Sequence, residues 1–596
     1  MKTITGRKAE NRIIHKLFLR SEVSWALSDI SKQIGPMVDL FFVGAFIGVN
    51  GVTVLGFVAP LLMMMELVGT MIANGTRNKA SSLIGVGKFK EFNRVFSDSL
   101  ILTGGSTIAI GLLLGIFSSV ISTVLGARDP EISGMTSQYI LGLIIGYPFA
   151  TLTRVLTPYL QIEGQYKRVT VTAISTTVID IILDALVVFV LKGGMFEIGL
   201  ATSIGNIIPF FIGAAFFMGR KKSVDFHLSF QGFCPKLCKE IVKLGAPNGV
   251  SLACNSIGGM MINNMLVSLN MPYLVAVNGL FNQIQGFLLF TWLAPADTLL
   301  AFVPVFLGEE DRGSIKLVQK LALIHAFIMT SIVTVILYFG AESIATIFLK
   351  TDAPEAFRLA CQCIRICCFA LPFYTVFDNF NNYLMANKRI RTANILGFLN
   401  EIGILVPLDY LLIKLVGYTG AWYGKVFNMV LITLIIIIYI LYNKEDKKFV
   451  DKMLLLPRTF GVNKDDEISV IATSTKEIMH LSQIAILFAV EHGADDERAR
   501  LYGLITEELS IFLSNHGFKD GREHYINVRL VAKDDDFIIR MRDDCKLLNL
   551  NDYYQLFGDN IPFNKGGDIG LPIIFKASKD VKYTSTFGAN NLIVRM

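Results

Sequence analysis

Between residues 23 and 442 the chain returns repeatedly to apolar blocks of about 20 residues, the length an α-helix needs to cross the hydrocarbon of a bilayer. In that medium every backbone polar group must be satisfied internally, which leaves helices or closed barrels. Blocks this long read as helices. Twelve are present, near 23–48, 53–76, 95–122, 136–160, 168–191, 196–218, 240–268, 273–305, 317–340, 355–385, 393–415 and 419–442. Pro148, Pro209, Pro295, Pro372 and Pro407 fall inside them, where kinks are tolerated because neighbouring helices satisfy the freed carbonyls. The pattern stops at "YNKEDKKFVDK" (442–452), and an ordinary charged composition follows. Over the whole chain 53% of residues are hydrophobic and 17% charged, against about a quarter charged in soluble domains.

The basic residues set topology. Lys and Arg gather at the N-terminus and in the loops after spans 2, 4, 6, 8 and 10, as in "GQYKR", "GRKK" and "ANKRIR". The alternate loops, such as "GVNG" and "VGYTG", are nearly bare. The positive-inside rule then predicts that both termini and the terminal domain are cytoplasmic, in a cell-membrane protein. With its cations placed this way, the net charge of +6 does not indicate nucleic acid. The N-terminus has no apolar h-region, so no cleavable signal is expected. The eight cysteines show no zinc or disulfide spacing; Cys361, Cys363, Cys367 and Cys368 read as small apolar packing on different faces of one helix.

The spans divide into two sixes. "LTRVLTPYLQIEGQYKR" (152–168) is matched by "VFDNFNNYLMANKRIR" (376–391), and the offset of about 224 carries Asp184 to Asp409 and Asp39 to Asn263–Asn264. Parallel six-helix repeats are typical of carriers that rock two lobes about a central site. Ionisable residues within spans are functional candidates by default. Asp180 and Asp184 are four apart and share a helix face. Two acids so close in low dielectric resist joint ionisation and can hold a proton or a sodium ion.

Several stretches carry a family resemblance. "MVDLFFVGAFIGVNGVTVLGFVAP", "SQYILGLIIGYP", "LQIEGQYKRVTVTAISTTVIDIILDALVVFV" and "LGAPNGVSLACNSI" resemble the multidrug and toxic compound extrusion (MATE) family across residues 20–443. The resemblance implies two six-helix lobes and antiport of a small organic, often cationic, substrate against H+ or Na+. Within it, Asp39, Asp184 and Thr202 match the branch that couples through the first lobe; Asp180 falls where an Asn is usual and joins them as a coupling candidate. The other branch's glutamate in the seventh helix is Asn255 here, and its tenth-helix aspartate aligns with Tyr374, with Asp378 one turn on. Tyr139, Glu66, Asn263, Asn264, Asn282, Gln283 and Asp378 are substrate-cavity candidates. Arg154 and Arg365 read as partners of acids that hold helices together.

Residues 466–596 read as α/β: a strand, two helices, a hairpin around Asp534–Asp536, a Gly-rich turn, a helix and two strands. The order resembles the histidine-kinase-like ATPase fold, in its anti-sigma-factor kinase branch. Glu508 and His516 fit the first motif helix, but Phe512 stands where an Asn would hold Mg2+. Asp543 fits the adenine acceptor, Cys545 replaces a glycine, and Asp568 faces the phosphate turn beside Gly566, Gly567 and Gly570. Without the metal ligand, the charge neutralisation that phosphoryl transfer relies on is lost.

The expected protein is an all-α membrane protein of twelve spanning helices followed by a cytoplasmic α/β sandwich. Its parts are a cytoplasmic segment (1–22), a first lobe (23–219), an inter-lobe linker (220–239), a second lobe (240–443), a linker (444–465) and a degenerate ATPase-type domain (466–596). The expected activity is secondary active export, without enzymatic turnover, resident cofactor or structural metal. Lipid surrounds the lobes, and a nucleotide or regulatory protein is the partner expected for the tail. Two alternatives remain at this stage: a lipid-linked sugar flippase, and a membrane-tethered signalling protein with a sigma-factor-type partner.

Overall fold

A computed structural model describes residues 3–596, except 48, 86–87, 126–129, 220–232, 270–273, 349–353, 444–447, 458, 463, 473–474, 518–524, 534, 544–570 and 587–588. The first lobe comprises α1 (Thr3–Phe42), α2 (Val49–Gly85), α3 (Phe89–Ile116), α4 (Ser118–Val124), α5 (Pro130–Ile162), α6 (Tyr166–Leu186) and α7 (Met195–Met218). The second comprises α8 (Pro235–Ser268), α9 (Leu274–Leu288), α10 (Phe290–Gly308), α11 (Arg312–Phe348), α12 (Pro354–Cys367), α13 (Leu371–Ala386), α14 (Ile390–Phe398), α15 (Leu405–Val416) and α16 (Gly420–Tyr442). Among the described residues, eight helical segments are long and apolar enough to cross a membrane, and the last, Ile390–Tyr442, contains two expected spans. Helices α1, α2 and α8 occupy the places of spans 1, 2 and 7.

Four details differ from the sequence reading. Residues 3–22 are not a separate segment, because α1 runs unbroken from Thr3 to Phe42. The eighth span is two helices that meet at Leu289, and the eleventh is interrupted by a π-helical turn at Leu399–Gly403. Cys363 and Cys367 share a face, with their sulfurs 4.0 Å apart, as i and i+4 must.

The lobes meet where α2 crosses α8. A Cβ on Gly75 would lie 1.9 Å from the Ile241 carbonyl oxygen, and one on Gly245 would lie 1.8 Å from that of Met71. Such contact needs small residues in facing positions, here the Gly245–Gly249 pair spaced by four. Around it Arg77 pairs with Asp297 (3.4 Å), Lys79 with Glu240 (2.7 Å), and Asn78 donates to the Met385 carbonyl. This contact lies toward the linker: Arg77 stacks on Trp25 of α1, and α13, which Asn78 reaches, meets the linker through Tyr383.

After the short α17 (Phe449–Lys452), the tail forms one antiparallel sheet in the order β1-β2-β3-β5-β4. Its strands are β1 (Glu467–Ala472), β2 (Ile526–Lys533), β3 (Asp536–Asp543), β4 (Asp580–Thr586) and β5 (Ala589–Arg595). Helices α18 (Thr475–Glu491) and α19 (Asp496–Gly517) pack on one face over Val528, Leu530, Ile539, Met541, Leu592 and Val594, and α20 (Leu571–Ala577) adds Ile574. Gly493, just past α18, has φ +85°, the left-handed conformation of a helix C-cap glycine. The linker is not a free spacer: Met453–Leu456 are buried in a core shared with α1, α10 and α13.

Candidate functional site

The first lobe brings its three acids together. Helix α1 lies along α6, fixed by Ser31 and Thr177, whose hydroxyls are 2.7 Å apart and each of which also donates to a carbonyl of the facing helix. Asp39 lies two turns beyond Ser31, and Asp180 and Asp184 lie one and two turns beyond Thr177, so the same helix pair delivers all three. A ligand oxygen from each of Asp39, Asp180 and Asp184 lies within 4.8 Å of the others. All three residues are buried, Asp184 completely. Both oxygens of Asp184 and one each of Asp39 and Asp180 are buried without a hydrogen-bond partner.

The surrounding residues keep room at this point. A Cβ on Gly205 of α7 would lie 3.2 Å from Asp180 Oδ1, and one on Gly35 of α1 would lie 3.5 Å from Oδ2. Thr202, whose hydroxyl donates to the Ile198 carbonyl at 3.3 Å, also neighbours Asp180. Tyr139 is buried within electrostatic reach of all three acids. It arrives there because α5 and α7 touch backbone to backbone at Gly142, Gly146 and Gly199. Ser203 stitches this contact, donating to the Gly142 carbonyl at 2.6 Å and accepting from the Gly146 amide at 2.8 Å. Three carboxylates this close cannot all be ionised without a compensating cation. The donor set is all oxygen, which suits a proton or a hard monovalent or divalent ion.

The remaining candidates are not gathered here. Glu66 is exposed and pairs with Arg154 at 2.6 Å, beside the exposed Met63 and Met64. Asn282 accepts from Lys425 at 2.7 Å. Asn264 and Gln283 are exposed in the second lobe, and Asp378 lies in α13. The side chain of Asn263 lies outside the described residues. Arg365 pairs with Glu342 at 2.8 Å.

Two acids of the second lobe form their own sites. Glu401, in the π-helical turn, accepts from Asn255 and Asn400, each at 2.8 Å. At Asn255, where the resemblance would place the other branch's glutamate, the carboxylate instead comes from Glu401 on the facing element. Asp409 is fully buried with both oxygens unpartnered, like its repeat mate Asp184, and Lys425 lies nearby. Sequence reasoning passed over Glu401 and Lys425. A single charge in an apolar block was the available signal for each.

In the tail, Phe512 is buried in the core between helices and sheet. Glu508 is half-buried, and burial, with Glu507 beside it, pushes its carboxyl up. Asp543 accepts from Asn590 at 2.7 Å. The His516 side chain and Gly566, Gly567 and Gly570 lie outside the described residues.

The family model described as MatE matches residues 25–186 and 247–411, which include all three clustered acids. The chain belongs to the MatE family. It is accordingly a multi-pass membrane transporter and not an enzyme. It is 22% identical over 455 residues to Multidrug export protein MepA of Staphylococcus haemolyticus, covering 75% of this chain and 97% of that protein. It is also 22% identical over 420 residues to Probable multidrug resistance protein YoeA of Bacillus subtilis, covering 67% and 87%. Its fold is similar to that of a multidrug resistance MATE family transporter of the MOP superfamily in an outward-facing conformation (TM-score 0.66, 18% identity, 71% and 94% covered). It is also similar to the Vibrio cholerae MATE transporter VcmN (TM-score 0.67, 16% identity, 72% and 96% covered). The family match ends at residue 411, well before the tail.

Proposed function

We propose that this MatE transporter is a multidrug exporter that moves small organic, preferentially cationic, compounds by antiport against H+ or Na+. The coupling ion occupies Asp39, Asp180 and Asp184, with Thr202 and Tyr139 beside them. The observation that carries this reading is the buried cluster with its orphaned oxygens. A site of that kind is stable only when loaded, or when water reaches it. Loading from one side and release to the other lets an ion gradient bias the exchange between two lobe arrangements, since a ligand shifts such an equilibrium only by its differential affinity. With the termini in the cytoplasm, as the positive-inside rule predicts, the α2–α8 contact would close the cytoplasmic side. Relatives named for multidrug export support this over the flippase and signalling alternatives.

The tail is a degenerate histidine-kinase-like ATPase domain that regulates the lobes through a nucleotide or a protein partner. Support comes from its five-stranded sheet with helices on one face, and from Phe512, a core residue where the metal ligand would stand. The test of the transport reading is the purified full chain in proteoliposomes, under imposed pH or Na+ gradients, with a panel of cationic dyes. Uphill dye movement under one gradient supports it. No movement under either gradient, from protein shown to be folded and inserted, refutes it.

A further inference from the structure

The second face of the tail sheet reads as a solvent face, yet it is covered. Arg529 and Arg540 sit opposite one another on β2 and β3, and Arg542 sits opposite Asn527. Val531 and Ile538, paired on the same face, are buried. The cover comes from both lobes. Asp311, between α10 and α11 of the second lobe, lies 2.7 Å from Arg529, which also holds Glu467 within the tail. Arg542 reaches Glu309 of the second lobe at 3.1 Å and Glu10 of α1 at 3.7 Å. Lys533 pairs with Glu310 at the rim. Burial alone would raise the Asp311 carboxyl, but Arg529 and two hydrogen bonds from Ser314 hold it below the usual carboxylate range. The guanidinium of Arg529 is correspondingly pushed up, because the acids around it outweigh its burial. Buried charges persist only when paired in this way.

Helix α1 crosses between the lobes. Its far half carries Asp39 and packs on α6, whereas its first half packs on α10. There Ile14 and Phe18 join Phe302, Tyr383 and the linker residues Leu454–Leu456 in one core. His15 lies 3.4 Å from His325 of α11, which in turn contacts Glu22 at 2.7 Å. The linker is tied in by Tyr383, which donates to the Leu454 carbonyl at 2.5 Å, and by Arg389, which donates to that of Leu455 at 2.8 Å. Tail and linker thus grip both sides of the seam that separation of the lobes on the termini side would open. The gripped helix is the one that carries Asp39, about 44 Å further along at 1.5 Å per residue.

We propose that the tail is an intramolecular brace. Through its arginine face it holds the first half of α1 against the α10–α11 hairpin and stabilises the arrangement closed on the termini side. Because α1 is continuous to Asp39, docking of the tail and loading of the acid cluster bias the same equilibrium. The proposal deepens the regulatory part of the reading above and rests on the lobes alternating between two arrangements.

The test uses the full chain in nanodiscs and proteoliposomes. A release variant combines Arg529→Gln with Arg542→Gln. A lock variant combines Lys533→Cys with Glu310→Cys at the exposed rim, oxidised to a disulfide and reversible by reductant. Spin labels carried on non-natural amino acids at positions 88 and 388 report the separation of the lobes on the termini side. The release variant should raise the open fraction by about tenfold, a usual size for coupling between protein sites. The oxidised lock should show only the closed distance, slow dye transport by about tenfold and recover on reduction. An unchanged distance distribution in a monodisperse release variant, or full-rate transport by the oxidised lock, overturns the brace. The distances need no transported substrate, so wild-type protein that moves no dye would sink the exporter reading and leave this comparison decisive.

Discussion

Gly245→Ala should pry the lobes apart. The new Cβ would stand 1.8 Å from the Met71 carbonyl oxygen, where real Cβ contacts begin at 3.0–3.4 Å. The obstacle is backbone, so no side chain can turn away. The helices must separate by roughly 1.5 Å, and close approach through small residues is what holds such an interface. Overpacking of this kind costs about 1–3 kcal/mol. If that cost falls only on the arrangement in which α2 and α8 touch, it shifts the equilibrium toward the other by about 5- to 150-fold. Gly104→Ala is the control, because a Cβ there meets nothing within 4 Å. The assay is the distance distribution between labels at 88 and 388, read with transport rate. A Gly245→Ala protein with the wild-type distribution and rate would refute the claim that this crossing is the seal.

Two predictions concern the tail. Phe512→Ala should destabilise it by about 3–5 kcal/mol, as loss of a buried phenyl ring does, and the full chain should show no Mg2+-dependent ATP turnover before or after the change; turnover by the wild type would mean the motif was misread. Deletion after residue 457 should leave a folded transporter with altered rate, whereas deletion after residue 445 also strips Leu454–Leu456 from the lobe core, at about 1.5–3 kcal/mol for each buried leucine. Equal thermal stability of the two truncations would show that the linker contributes nothing to the lobes.

Much of the membrane part was legible because apolar blocks separated by charged loops leave few alternatives. What escaped notice depended on three-dimensional neighbours. The i, i+4 spacing puts Asp180 and Asp184 on one face, but only the Ser31–Thr177 contact brings Asp39 to them. The break at Leu289 and the π-turn around Glu401 are marked only by Pro295 and Pro407 further along each span, which indicate a kink but not its form or place. In the tail the strands could be read from alternation, yet Arg529, Arg540 and Arg542 in alternate positions look like a solvent face. The lobe acids that pair with Arg529 and Arg542 are more than two hundred residues away, so no local window could show that the face is covered.

The central claim is that Asp39, Asp180 and Asp184 carry the coupling ion. The most direct measurement compares wild type with Asp39→Asn and Asp184→Asn in proteoliposomes, following dye accumulation against its own gradient under an imposed pH or Na+ gradient. Each Asn variant should fold and insert like wild type, bind dye, and fail to concentrate it under any gradient. Full gradient-driven accumulation by both variants would contradict the assignment and move the coupling site elsewhere, with Glu401 the next carboxylate to test.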